Sequence, residues 1–232
     1  GCNFIYTNGG VMADYHHSDK AIEKMLPLIA VPTTHGTGSE AQSYALIADE
    51  DTHMKMACTD PKVLPAFALL GPSLALTQPY SVAACTSIDA ITHAVESYVC
   101  TRRNDVSMRY AAESFALTVN ALPRVLADPN DIKARGDMLL GAAYAGLAIE
   151  NSMLGAAHST ANPLTARFGT VHGQAVGVML PHVIRYNAHQ PEARGHYEQL
   201  AERVGLTSAD QLADRFTDLL ASAGLKTDLT AL

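Results

Sequence analysis

The sequence predicts part of an α/β sheet domain over residues 1–74, followed by an all-helical domain over residues 75–232. In the first region, short apolar runs alternate with turn residues, a pattern typical of strands in an α/β sheet. Beyond residue 75, the apolar residues recur at helical spacing. The length of 232 residues and the hydrophobic content of 48% are sufficient for a substantial core.

Four short strands are predicted in the first region. Their segments are 26–34, 43–49, 53–60 and 66–72. Pro27 and Pro32 mark the two ends of the first strand, and Gly71 with the following proline ends the last. The acidic run 49–51 separates the second strand from the third and predicts a hairpin-like turn between them.

Seven helices are predicted after residue 75. They run from Pro79 or Ser81 to about Cys100, from a cap at Asp105 to about Ala127, from Asn130 or Asp131 to about Glu150, over 152–168, over 172–187, over 191–205 and from Ser208 onward. Capping residues, a terminal glycine and the spacing of the apolar residues indicate these bounds. A bundle of this kind can build a metal site from side chains on facing helices.

The composition disfavours several classes of partner. A net charge of −7 without a basic run argues against nucleic acid and anionic membranes. No stretch approaches the roughly 20 apolar residues of a membrane span. The four cysteines, at positions 2, 58, 85 and 100, form no CxxC pair. We interpret them as reduced thiols of a cytoplasmic protein rather than as metal ligands.

Four side chains are candidate metal ligands. Asp89 and His93 lie four residues apart, and on a helix this spacing stacks both on one face. His158 and His172 follow far downstream in helix-like surroundings. One carboxylate and three imidazoles form a mixed oxygen and nitrogen shell, which suits Fe²⁺ or Zn²⁺ better than Mg²⁺ or Ca²⁺. The alternative is that each is an ordinary core or surface residue, as a single histidine in a helix usually is.

The segment PTTHGTGSE at 32–40 is a candidate anion or nucleotide site. Its small residues follow the first predicted strand and leave backbone N–H groups open to a ligand, above all if Ser39 or Glu40 begins a helix. An ordinary turn is the alternative. His35, within this loop, is expected to be exposed to solvent.

Five motifs, in order, resemble the iron-containing (group III) alcohol dehydrogenase family. They are PTTHGTGSE, KMACTDPKVLP, SIDAITHAVESYV, GAAHSTANPL and VHGQAVGVMLPHVIRYN, all within about residues 5–190. The resemblance implies a dinucleotide-binding α/β domain, here a remnant, followed by an all-helical metal-binding domain of the dehydroquinate synthase-like fold. It also implies an active site in the cleft between the two domains.

The resemblance further implies residue roles and a reaction. The metal ligands of the family match Asp89, His93, His158 and His172, which would hold Fe²⁺, with Zn²⁺ as an alternative. The positions that contact NAD or NADP match Thr33, Thr34, Thr37, Tyr44 and Lys55. The implied reaction interconverts a primary or secondary alcohol and its aldehyde or ketone, so the expected partner is a small alcohol or aldehyde. Family members are often dimers or larger, which leaves a homo-oligomer open.

Two departures from the family pattern bear on activity. The glycine-rich GGGS-type turn would precede Gly1, and we expect the chain to be a shortened form of a longer parent. Asn162 takes the place of the second histidine in an HxxxHP motif, which is proposed to relay a proton, and an amide cannot titrate.

Four other functions stay open on the sequence. The chain could be a catalytically inactive metal-binding helical domain or a metal-free relative similar to maleylacetate reductase. A zinc enzyme similar to glycerol dehydrogenase or dehydroquinate synthase is a third alternative, disfavoured because those enzymes use three protein ligands. A metallohydrolase is the fourth, but no HExxH pattern places a general base near the ligands.

Overall fold

A small sheet region precedes a bundle of long helices. The computed structural model of the protein describes residues 1–50 and 55–231. Its α-helices are α1 (Cys2–Asn8), α2 (Tyr80–Val99), α3 (Asp105–Ala127), α4 (Ile132–Glu150), α5 (Ala156–Phe168), α6 (His172–Asn187), α7 (Pro191–Glu202) and α8 (Ala209–Ser222). Within the described residues, no helix is both long enough and apolar enough to cross a membrane.

The seven predicted helices are confirmed as α2 to α8. Asp131 and Ser208 cap α4 and α8 through their side chains, because each accepts a hydrogen bond from a backbone N–H of the first turn. The predicted cap of α3 is wrong by one residue. Asn104, rather than Asp105, accepts from the N–H of Val106 and of the residue after it. The helix α1 has no counterpart among the predictions.

The strands are short and form two small sheets. They are β1 (His17–Ser18), β2 (Ile29–Ala30), β3 (Tyr44–Ala48), β4 (Lys55–Thr59) and β5 (Phe67–Ala68). In the first sheet, β4 lies between β1, to which it is parallel, and β3, to which it is antiparallel; in the second, β2 and β5 pair in parallel. The strands predicted over 43–49 and 53–60 are therefore confirmed as a pair. Part of their predicted turn lies outside the described residues.

The strands predicted over 26–34 and 66–72 are shorter than expected. Pairing is confined to two residues in each, and the ladder bonds run from N–H groups of residues 66–69 to the carbonyls of Leu28 and Ala30. Pro27 and Pro32 flank this short stretch, and neither has an N–H to extend a ladder. The division into domains at residue 75 stays a prediction.

The helix α2 is buried on almost every side. Every residue from Ala83 to Tyr98 is buried except Thr86. Its apolar side chains join those of α3, α6 and α8 in one core cluster. A polar side chain on such a helix has little access to bulk water, so the aspartate, histidine and glutamate of α2 need partners within the protein.

Glycines allow the 35–39 loop to reach backbone contact with α4. A Cβ added at Gly146 would lie 2.2 Å from the carbonyl oxygen of Gly38. Gly38 has a φ of 60°, and a Cβ there would lie 2.5 Å from the carbonyl oxygen of Ala142. The loop therefore packs on the helix with no room for a methyl group at either glycine.

Replacing Gly146 with alanine should destabilise the fold. The added methyl group would meet the backbone of Gly38 rather than a movable side chain, and overpacking of this kind typically lowers the free energy of unfolding by about 1–3 kcal/mol. Urea unfolding followed by circular dichroism measures the change. The control is Gly195→Ala on α7, where nothing lies within 4 Å of the added Cβ. It should gain about 0.5–1 kcal/mol, and equal values for both variants would contradict the contact.

Candidate metal centre

Three imidazoles converge on one carboxylate inside the bundle. The Nε2 atoms of His93, His158 and His172 lie 3.4, 3.3 and 3.7 Å from Oδ1 of Asp89. Asp89 and His93 lie one turn apart on α2, His158 lies in the first turn of α5, and His172 is the first residue of α6. The structure thus brings the four predicted ligands together from three helices.

Two glycines allow the start of α6 to lie close to Asp89. A Cβ added at Gly173 would lie 2.0 Å from the carbonyl oxygen of Cys85, so any other residue would push α6 away from α2. Gly169 ends α5 with a φ of 66°, the left-handed conformation common at helix C-termini. The next helix begins three residues later, and its first side chain, that of His172, faces Asp89.

The distances from Asp89 to the three imidazoles match the donor spacing in a metal shell. Bonds of about 2.1 Å put neighbouring donors of a tetrahedral site about 3.4 Å apart, close to the three distances above. Donor atoms of Asp89, His93 and His158 lie within 4.8 Å of one another. His172 lies nearer the rim, with a side chain 26% exposed. The residues present therefore fit a borderline divalent ion such as Fe²⁺ or Zn²⁺.

The electrostatics of the cluster centre on Asp89 and His158. Burial alone would raise the pKa of Asp89, but His93 and the hydrogen bond with His158 outweigh it and hold the pKa below its usual range. Burial also opposes the charged form of His158, yet hydrogen bonds to Asp89 and Glu96 raise its pKa to about 9. Burial lowers the pKa of His93, and lowers that of His172 to about 4. His158 therefore carries a positive charge beside Asp89, while the other two imidazoles are neutral. A bound cation would place positive charge at the same position.

Glu96 is a member of the site to which the sequence had assigned no role. Its buried carboxylate lies 2.5 Å from Nδ1 of His158 and accepts hydrogen bonds from the backbone N–H groups of Ala157 and His158. It therefore caps α5, whose own N-cap, Gly155, offers no side chain. Glu96 keeps a proton on Nδ1, so Nε2 can donate its own proton to Asp89 or, when a metal ion is bound, offer its lone pair to the ion. Glu96 follows Asp89 by seven residues, and this helical spacing is a signal that could have found it.

A cleft with a volume of about 530 Å³ opens onto the cluster. Its lining residues are Thr37, Ser39, Gln42, Tyr44, Leu46, Lys55, Ala57, Asp89, His93, Ile149, Leu154, His158, Asn162 and His172. Among the residues predicted to contact NAD or NADP, Thr37, Tyr44 and Lys55 line this cleft. Thr33 and Thr34 lie outside it.

The polar residues of the cleft differ in charge. Burial lowers the pKa of Lys55, whereas the nearby Asp89 favours its charged form. Burial, and then the charge of Glu150, raise the pKa of Tyr44, which keeps its hydroxyl protonated. Asn162 lies one turn after the α5 ligand and offers an amide that can donate and accept hydrogen bonds without titrating.

The prediction that His35 is exposed to solvent is wrong. Its side chain is fully buried, with Nε2 2.9 Å from Nη1 of Arg135 and Nδ1 3.2 Å from Oγ of Ser87. Burial and the charge of Arg135 lower the pKa of His35 to about 4, so the ring is neutral near pH 7. No local pattern indicates this contact, because Arg135 lies 100 residues away along the chain.

Two family models match most of the chain. The model described as "Fe-containing alcohol dehydrogenase family, C-terminal" matches residues 83–232, and the model described as "Iron-containing alcohol dehydrogenase" matches residues 1–72. The chain belongs to the iron-containing alcohol dehydrogenase family. Its all-helical part follows a small α/β remnant, as the resemblance implied.

Characterised relatives of this iron-containing alcohol dehydrogenase chain are about twice as long. It is 34% identical to alcohol dehydrogenase 4 of Schizosaccharomyces pombe, with 100% of this chain and 56% of that protein covered. It is 33% identical to the NAD-dependent methanol dehydrogenase of Bacillus methanolicus, with 91% and 56% covered. The chain therefore spans about half the length of the curated relatives that it matches.

Solved structures share the fold of this family member. A 1,3-propanediol oxidoreductase superposes with a TM-score of 0.91 at 29% identity, covering 100% of this chain and 62% of that one. The sulfoacetaldehyde reductase of Bifidobacterium kashiwanohense, solved in complex with NAD⁺, superposes with a TM-score of 0.87 at 28% identity, covering 99% and 60%.

Glu96→Gln should weaken metal binding while the bundle stays folded. The amide lacks the charge that holds the imidazole of His158, and loss of such a partner typically lowers metal affinity about 10–100-fold. Competition with a chromophoric chelator measures the affinity for Fe²⁺ or Zn²⁺, and circular dichroism reports the helix content. Glu198→Gln on α7 is the matched control, because that side chain lies outside the cluster. An unchanged affinity in Glu96→Gln would remove Glu96 from the site.

Proposed function

We propose that this chain carries the metal centre, and part of the cofactor site, of an oxidoreductase that interconverts a small alcohol and its aldehyde or ketone with NAD or NADP. One observation carries this function: a carboxylate and three imidazoles converge at a cleft that Thr37, Tyr44 and Lys55 also line. Membership of the iron-containing alcohol dehydrogenase family supports the same reaction class. Two relatives are named for NAD-linked activity or bound NAD⁺.

In this function, Asp89, His93, His158 and His172 would hold Fe²⁺, with Zn²⁺ as the alternative. The ion would supply a Lewis acid for the oxygen of the alcohol or carbonyl group. The four side chains set its charge, because one carboxylate leaves a divalent ion with a net positive charge. Glu96 fixes the ring of His158 from behind, so that the orientation of this ligand does not depend on the substrate.

The cofactor side of the cleft would be formed by residues 1–74, and the metal side by residues 75–232. NAD or NADP would supply the hydride acceptor or donor. Lys55 provides a cation in the cleft, suited to an anionic nucleotide, and the hydroxyls of Thr37 and Tyr44 offer neutral hydrogen bonds. Thr33 and Thr34, which lie outside the cleft, would contact parts of the nucleotide farther from the metal.

The substrate side combines apolar walls with one amide. Ile149 and Leu154 line the cleft on the side of the helical region and reduce the space open to water. Asn162 can orient a substrate oxygen through a hydrogen bond, but it cannot carry a proton away. In this chain the proton would therefore leave through water in the cleft.

Reconstitution with Fe²⁺ under anaerobic conditions tests this function. We expect about one ion per chain, quenching of NADH fluorescence on binding, and NADH oxidation with a panel of short aldehydes. His93→Ala should lose both the metal and the turnover, whereas His189→Ala, at an exposed position, should lose neither. Turnover that survives chelation would favour a metal-free relative. Metal binding without NADH binding would favour a catalytically inactive metal-binding domain.

Asn162→His should add a titration to the rate without changing the metal content. An imidazole with a pKa of about 6.5 can exchange a proton near neutral pH, which an amide cannot. The pH profile of kcat between about pH 5.5 and 8.5 should therefore gain an inflection in the variant. Asn162→Gln is the matched control and should keep the wild-type profile. An unaltered profile in Asn162→His would place residue 162 away from the path of the proton.

A further inference from the structure

A buried arginine on α4 takes no part in the metal cluster. Arg135 is 1% exposed, and it donates hydrogen bonds to Nε2 of His35 at 2.9 Å, to Oε1 of Gln78 at 3.2 Å and to the carbonyl of Pro129 at 3.2 Å. Among the residues that the structure describes, none of the ion pairs includes it. A buried cation without a carboxylate partner is costly, so its hydrogen bonds must offset that cost.

Arg135 determines which ring nitrogen of His35 accepts a hydrogen bond and which donates one. A guanidinium can only donate hydrogen bonds, so Nε2 of His35 accepts and the single ring proton lies on Nδ1. That proton is then donated to Oγ of Ser87, 3.2 Å away. The result is a directed chain of hydrogen bonds from α4 through the loop to α2. Gln78 adds a parallel link, because it accepts from Arg135 and donates to Thr86 on α2.

These links join the two sides of the cleft from outside it. His35 lies two residues before Thr37, which lines the cleft, and Ser87 lies two residues before Asp89, the carboxylate of the metal cluster. The hydrogen bond between His35 and Ser87 thus connects the short segments that carry these two groups. No part of this connection passes through the cleft.

Steric contacts confine the same loop between the two helices. A Cβ added at Gly36 would lie 2.6 Å from Cβ of Thr86 on α2, and one at Gly38 would lie 2.5 Å from the carbonyl of Ala142 on α4. These contacts exclude positions closer to either helix. They do not prevent the loop from moving outward, away from α2 and α4. The hydrogen bonds of His35 add an attraction that holds the loop against both helices.

We propose that His35 and Arg135 are positioning residues that hold the Thr37 loop at a fixed place relative to the Asp89 helix. They thereby keep the cofactor side of the cleft at a fixed position relative to the metal side. Because Thr37 contacts a nucleotide only under the function proposed above, the effect on the cofactor rests on that function. The effect on the loop itself does not.

Hydrogen exchange on the metal-loaded 232-residue chain tests the loop. In His35→Leu and Arg135→Met, backbone amides of residues 33–39 should exchange roughly tenfold faster, because a buried donor or acceptor loses its partner. The helices α3 and α8 should keep their wild-type exchange, and the metal content should stay unchanged. His35→Gln should restore much of the protection, since its amide oxygen can accept from Arg135. The control His189→Leu alters an exposed histidine and should change nothing.

NADH binding, measured by fluorescence, distinguishes a positioning role of His35 from a role in folding alone. In His35→Leu the Kd should rise roughly tenfold with unchanged metal content, and His35→Gln should recover most of the affinity. The double variant His35→Leu/Arg135→Met should cost less than the sum of the single changes, because no unpaired partner remains. This variant also decides the matter if Arg135→Met alone does not fold.

Two results would overturn the positioning role. The first is wild-type exchange of residues 33–39 in His35→Leu, and the second is faster exchange with an unchanged Kd for NADH. If the wild-type chain itself binds no NADH, the proposed function fails for this chain. The exchange rates then decide alone whether His35 and Arg135 hold the loop.

Discussion

The rest of the site depends on the burial of the Asp89 carboxylate. It lies on α2, a helix with almost no face open to water, so its charge has to be satisfied within the protein. Three imidazoles supply that compensation, and each reaches Asp89 from a helix turn whose position is constrained. A carboxylate at the surface would impose none of these constraints. The chemistry that a cation could perform there follows from the same burial, because a low dielectric strengthens its interactions.

Backbone contact at glycines makes this arrangement sterically accessible. Gly173 lets α6 lie against the carbonyl of Cys85, and Gly146 lets the loop at Gly38 lie against α4. At Gly155, the N-cap of α5, the contact is instead with a side chain, since a Cβ would lie 2.9 Å from Oε1 of Glu96. Side chains at these positions would separate the helices and loops that carry the cluster. The close packing at these glycines is therefore required for the polar contacts of the cluster.

Two buried charged residues each hold an imidazole ring in place. Glu96 holds His158, which lines the cleft, and Arg135 holds His35, which lies outside the cleft in the loop that carries Thr37. Each partner also sets the role of one ring nitrogen: the carboxylate of Glu96 keeps a proton on Nδ1 of His158, and the guanidinium of Arg135 makes Nε2 of His35 an acceptor. The orientation of His158 in the cleft is thus determined by Glu96, a residue that does not line the cleft.

Residue patterns along the chain were sufficient to predict the helices α2 to α8 and to name four candidate metal ligands. Helical periodicity and caps such as Asp131 and Ser208 act within a few residues, so a local pattern suffices to place α2 to α8. Three other features follow from tertiary packing: His35 is buried, Glu96 holds His158, and the strands flanked by prolines pair over two residues each. The partners in these contacts lie tens of residues apart, 62 for Glu96 and His158 and 100 for His35 and Arg135. No local pattern encodes such a meeting, because it results from how whole helices pack.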